Sequence, residues 1–281
     1  MRKFLAFLRK YSIGLAVPFS ILYVGLSLYL YFNQDQFIFY PMPLPEETRV
    51  QMQRQPGISP LLLKADDGVT LHGWMHHTTS GASKRPVILY FGGNAEEISY
   101  QVMEFGRLSG WTTISLNYRG YGASQGKPSQ RNLFRDALTL FDYVATRPDV
   151  DPRCIVTVGF SLGTGVATYL ASKRPIAGVT LIAPFDSFLN VIKKNYGIFP
   201  VRILLKHPFE SLPYASLAAC PLLCVIAGND EVIPAECSRR LVAAWKGPAQ
   251  TIEVQGYNHN SILSWPGLWD TMNHFLSAIK N

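Results

Sequence analysis

The sequence predicts an α/β fold: a mostly parallel sheet with helices on both faces, a small helical insert, and one transmembrane helix ahead of it. Three observations carry this. From about residue 60, strand-like runs alternate with helix-like ones. The strand-like runs, such as Pro86–Phe91, are continuously apolar, as strands buried on both faces are. Between Lys10 and Asp35 no residue is charged. Composition agrees with a folded chain, because 48% of the 281 residues are hydrophobic and 16% charged. That balance is too apolar for disorder and too mixed for a protein of many membrane spans.

Tyr11–Phe32 is the charge-free stretch. A helix of 22 residues just spans a hydrocarbon core of about 30 Å. Tyr29, Tyr31 and Phe32 crowd its end as an interfacial aromatic belt does, and Pro18 is tolerable in such a helix. Arg2, Lys3, Arg9 and Lys10 precede it, so residues 1–10 are expected in the cytoplasm and the rest across the membrane, in the periplasm if the source is bacterial. Those four residues also hold much of the formal +7 charge. The remainder has 22 basic against 19 acidic side chains, which removes most of the support for a nucleic-acid partner. A cleaved signal peptide competes, with Gly25-Leu26-Ser27 as its site, but five bulky residues follow directly. A buried core helix competes less well, since its flank is basic and nearly all its faces are apolar.

Residues 33–59 read as a juxtamembrane stalk stiffened by Pro41, Pro43 and Pro45, with Phe37–Tyr40 either interfacial or packed on the domain. Residues 60–281 form the domain. Leu61–Leu63 and Thr70–Met75 are strands around the turn Asp66-Asp67-Gly68, followed by strand Pro86–Phe91 and a helix over Ala95–Leu108. Next come strand Thr112–Asn117, the amphipathic helix Asn132–Thr146, strand Ile155–Phe160, helix Leu162–Ser172 and strand Gly178–Ala183. Residues 185–218 are too long for a connection and read as a small helical lid over one sheet edge. Strand Leu222–Ala227, a helix from Ala235 to Trp245, strand Thr251–Val254 and helix Gly267–Ile279 complete the alternation. Cys154, Cys220, Cys224 and Cys237 lack zinc spacing and read as free thiols.

The chemistry centres on Gly159-Phe160-Ser161-Leu162-Gly163. G-x-S-x-G alone is weak evidence; here it ends an apolar strand and opens a helix, the setting in which a sharp turn exposes a serine hydroxyl. A serine needs a base. Of six histidines, His259 lies in a loop after the last strand, where open parallel sheets build their sites. His72, His76 and His77 are peripheral, His207 lies in the insert and His274 in the last helix. His76-His77 lacks a second ligand cluster for a metal. The base needs a carboxylate. Asp230 follows strand Leu222–Ala227, with Glu231 and Asp186 as rivals. The backbone N–H groups of Leu162 and of Gly92-Gly93-Asn94, with Asn94 the first choice, supply an oxyanion hole.

The residues Tyr90–Glu96, Asn117–Gly122, the Ser161 turn, Ala183-Pro184-Phe185, Phe199–Arg202 and the Asp230 and His259 loops together resemble the α/β-hydrolases. The likeness is to membrane-anchored, short-lidded serine hydrolases related to fungal bud-emergence proteins and human α/β-hydrolase domain-containing proteins, over about residues 37–275. It implies a Ser161–His259–Asp230 triad, with Leu162 and Asn94 as oxyanion donors. The expected activity is hydrolysis of a carboxylic ester or thioester through an acyl-enzyme. The expected substrate is a small acyl ester or lipid-like molecule, and no cofactor is implied. Acyl transfer, amidase or peptidase activity on the same residues, and a non-catalytic membrane-tethered binding protein, are the alternatives. Two departures stand out. The family usually has histidine at Gly92, and the loop between Gly228 and Asp230 is one residue shorter, which leaves Asp230 and Glu231 to be separated.

Overall fold

The computed structural model describes residues 2–77 and 84–280, with side chains throughout except those of 2–16 and 194–195. Eight strands form one sheet: β1 (Ile58–Lys64), β2 (Thr70–His76), β3 (Arg85–Phe91), β4 (Thr112–Leu116), β5 (Val150–Phe160), β6 (Gly178–Ile182), β7 (Leu222–Ala227) and β8 (Ala249–Val254). Their order is β1-β2-β4-β3-β5-β6-β7-β8. β1 and β2 pair antiparallel, as do β2 and β4, and every later pairing is parallel.

Alternation along the strands builds two apolar layers. Val87, Leu89 and Phe91 of β3 face a layer with α4 (Gln130–Ala145), α5 (Leu162–Lys173) and α9 (Ala235–Ala244), which contribute Leu140, Val166 and Leu241. Ile88 and Tyr90 face the other, with Val102 of α3 (Ser99–Glu104) and Met272 of α10 (Leu268–Lys280). The predicted face of α4 is buried, from Leu133 through Val144, and the Ser129 hydroxyl caps it by accepting from Asn132 N at 3.1 Å.

Register aligns the loops that matter. Phe91 pairs with Gly159 and Phe160 with Ile182, while Ala227 pairs with Val254. The loops after β3, β5, β7 and β8 therefore open at one edge of the sheet.

Two expectations are altered. The helix expected over Ala95–Leu108 is only α3 with a 3₁₀ turn at Phe105–Arg107. Its first turn is lost because Ala95 is left-handed (φ 56°) and Glu96 folds back on Gly93. Residues 33–59, read as a stalk, carry the end of α1 (Arg2–Ile38), α2 (Glu46–Arg54) and the start of β1, with Ile38, Phe39 and Met52 buried. The insert, expected to be helical, holds α6 (Phe188–Tyr196), α7 (Val201–Leu204) and α8 (Leu212–Ala215).

α1 runs 37 residues. Apolar side chains are exposed around it, among them Phe19, Ile21, Leu22 and Phe32. From Tyr23 to Gln34 it rests on the insert. The Tyr23 hydroxyl donates to Ile198 O at 2.9 Å, and Tyr23 stacks on Phe199. Among the described residues no helix is long and apolar enough to cross a membrane. The side chains of the first part of the expected span, 11–16, lie outside the described residues.

Candidate active site

Ser161 occupies the turn between β5 and α5 with φ 49° and ψ −115°, a conformation an L-residue adopts only under constraint. The turn closes because its glycines lack Cβ atoms. A Cβ on Gly163 would lie 2.0 Å from Phe91 O, and one on Gly159 2.5 Å from Gly163 O. Ser161 N donates to Ile182 O at 3.0 Å, which fixes the turn to β6.

His259 comes from the loop after β8. Its Nε2 lies 2.8 Å from Ser161 Oγ, and its Nδ1 lies 2.7 Å from Asp230 Oδ2. The Asp230 carboxylate accepts from Nδ1–H, leaving Nε2 to accept the serine proton. The other Asp230 oxygen accepts from Val232 N at 2.9 Å and Ile233 N at 2.7 Å, so backbone fixes the carboxylate's rotation. Phe160 stacks on the imidazole with ring centres 5.5 Å apart.

The rival acids sit elsewhere. Glu231 is exposed. Asp186 is fully buried, yet it accepts from Arg240 Nε at 2.6 Å, Asn190 Nδ2 at 2.8 Å and Ser187 N at 2.8 Å, and it braces the insert against α9. Of the other histidines, His76 lies 3.1 Å from Val102 O, His77 3.1 Å from Ser59 Oγ, and His207 3.0 Å from Asp35 on α1. Among the described residues no cluster of three or more His, Cys, Asp or Glu side chains could hold a metal. The four cysteines are free thiols, and burial pushes that of Cys224 up to about 12.

Leu162 and Asn94 both line the pocket that contains Ser161 and His259. Gly93 N is already committed, donating to Glu96 Oε2 at 2.6 Å. This separates Asn94 from Gly93 as the candidate for the second oxyanion donor.

Two features around this loop escaped the sequence reading. Glu96 packs against the bare Cα of Gly92, where the family's histidine would stand. It accepts from Tyr90 OH at 2.7 Å as well as from Gly93 N, and burial pushes its carboxyl up to about 7 despite both hydrogen bonds. The Asn94 side chain accepts from Tyr121 OH at 2.7 Å and donates to Ile38 O at 2.6 Å. The motif around Tyr121 was visible; its partner was not.

The family profile described as alpha/beta hydrolase fold matches residues 86–201. The chain is 32% identical over 259 residues to the uncharacterized protein Rv2307c of Mycobacterium tuberculosis, covering 90% of each chain. It is 30% identical over 262 residues to the lysophosphatidylserine lipase ABHD12 of Rattus norvegicus, spanning 76% of this chain and 65% of that protein. Among solved structures, the esterase Pf2001 of Pyrococcus furiosus superposes with a TM-score of 0.65 at 18% identity. The superposition covers 85% of this chain and 95% of the esterase, a likeness of fold.

Proposed function

The chain belongs to the α/β-hydrolase superfamily, and from that premise we propose that it is a serine hydrolase cleaving carboxylic esters or thioesters. The observation that carries this reading is the single hydrogen-bonded line from Asp230 through His259 to Ser161, ending at a serine held on a constrained turn. As Ser161 Oγ attacks the acyl carbon, its proton passes to His259 Nε2. Asp230 holds the imidazole's orientation and stabilises its charged form. The Leu162 and Asn94 N–H groups receive the negative charge that develops on the carbonyl oxygen, helped by the N-terminus of α5. The leaving alcohol or thiol takes the proton from His259. Water then attacks the acyl-enzyme, giving its proton to His259, and the acid departs as Ser161 regains its hydroxyl.

The named activity of the rat relative, a lysophosphatidylserine lipase, supports a lipid-like ester as substrate. We also propose that Tyr11–Phe32 anchors the protein, with residues 1–10 cytoplasmic and the hydrolase domain on the other side. The charge-free sequence and the exposed apolar side chains of α1 support this. The test of the hydrolase reading is turnover of nitrophenyl esters by the full chain and by Ser161→Ala. Turnover that survives in the variant at the parent rate defeats it.

A further inference from the structure

Two cavities share a wall. The first, of about 270 Å³, contains Ser161 and His259. The second, of about 140 Å³, lies between the end of α1 and the insert, with Leu30 and Phe37 on one side and Ile192, Val201 and Leu204 on the other. Ile38 and Phe188 line both. Small-molecule sites commonly begin near 300 Å³, so neither cavity alone suits a large amphiphile.

The Gln34 amide along the second cavity is engaged. Gln34 Nε2 donates to Tyr31 O and to Leu204 O, each at 2.9 Å, and Gln34 Oε1 accepts from Lys206 N at 2.7 Å. Both amide hydrogens of Gln34 are thus used. What remains is mostly aliphatic and aromatic wall, which suits hydrocarbon and penalises a headgroup that must shed water. The cavity also sits where the exposed apolar length of α1 meets the insert, beside Phe32 (69% exposed) and Ile203 (82% exposed).

From this we infer that the cavity between α1 and the insert receives the acyl chain of the substrate, with its ester carbonyl at Ser161 and Ile38 and Phe188 forming the constriction between. The substrate class is a long-chain acyl ester, and the N-terminal helix is part of its binding site. The inference rests on the hydrolase reading above. A chain methylene moved from water into such a cavity contributes up to about fourfold in kcat/KM, so long esters gain over short ones.

The test uses the full chain and an alkyl fluorophosphonate carrying a diazirine at the end of a dodecyl chain. Ser161 Oγ attacks phosphorus and displaces fluoride, which leaves the alkyl chain where an acyl chain would lie; light then crosslinks its end. Crosslinks to peptides of α1 within residues 30–38, or of the insert within 192–204, are expected. Phosphonylated Ser161 with crosslinks only elsewhere overturns the acyl-chain site and leaves the hydrolase reading intact. Absence of phosphonylation removes both. As a second measurement, Ile192→Trp narrows the cavity from α6 and Leu204→Trp from α7. In each variant that still reacts with a short fluorophosphonate, the ratio of kcat/KM for dodecanoyl over butanoyl ester should fall about tenfold or more. An unchanged ratio contradicts the inference.

Discussion

Asn94 donates from its side chain to Ile38 O at 2.6 Å, joining the loop after β3 to the last residue of α1. The same side chain accepts from Tyr121 OH at 2.7 Å and from Tyr40 N at 3.1 Å. The residue proposed as the second oxyanion donor is therefore held by the chain that leaves the N-terminal helix. Tyr121→Phe removes one of these bonds without creating a large cavity. It should lower kcat about tenfold while KM changes little, because a displaced donor is felt mainly in the transition state. Steady-state kinetics on a single ester decide it; a loss confined to KM would place Tyr121 in substrate binding instead.

Asp230 and Asp186 should separate cleanly. Asp230→Asn holds the imidazole in the wrong tautomer and should lower turnover by up to about 10⁴-fold with the fold retained. Asp186→Asn leaves Arg240 without its carboxylate and should cost about 1–3 kcal/mol of stability, with turnover of the folded fraction close to the parent. Urea melts and ester assays on both variants make the comparison. The assignment fails if Asp186→Asn is the crippling change.

Glu96 links stability to pH. Burial raises its folded-state value from 4.5 to about 7, so the folded protein holds this proton more tightly than the unfolded chain. Its contribution to stability is therefore fully present below about 4.5 and is lost as pH rises through about 7. Melting temperature should fall over that window in the parent relative to Glu96→Gln, whose amide oxygen still accepts from Gly93 N while its NH2 can donate to the Tyr90 oxygen. Parallel profiles for the two proteins would show that Glu96 carries no such linkage.

Much of the site was legible because its residues sit at strand ends. Ser161, Asp230 and His259 each follow an apolar run that the sequence marks as a strand, and the parallel sheet brings those ends together. The contact between Asn94 and Ile38 had no such signal. The two residues are 56 apart, and nothing in the local pattern of either requires the other. The prolines after Tyr40 suggested a stiff stalk, yet Ile38 and Phe39 are buried in the core, a tertiary choice that composition does not encode. Glu96 was hidden for a different reason. It stands in what reads as the first turn of a helix, and the left-handed Ala95 beside it diverts the chain into a loop.

The N-terminal helix yields its own expectation. With Tyr11–Phe32 as an uncleaved anchor, carbonate washing should leave the protein in the membrane fraction and detergent should release it. Exposed apolar residues such as Phe19 and Ile21 are costly to hydrate. Purified protein whose N-terminus maps near Leu28 would show instead that the segment is removed.

The most direct measurement of the central claim is mass spectrometry of the full chain after reaction with a simple fluorophosphonate. The hydrogen-bonded line from Asp230 to Ser161 predicts one adduct, on the peptide bearing Ser161, formed at a rate that Asp230→Asn lowers and Ser161→Ala abolishes. An adduct on another residue, or none under conditions where the protein is folded, would contradict it.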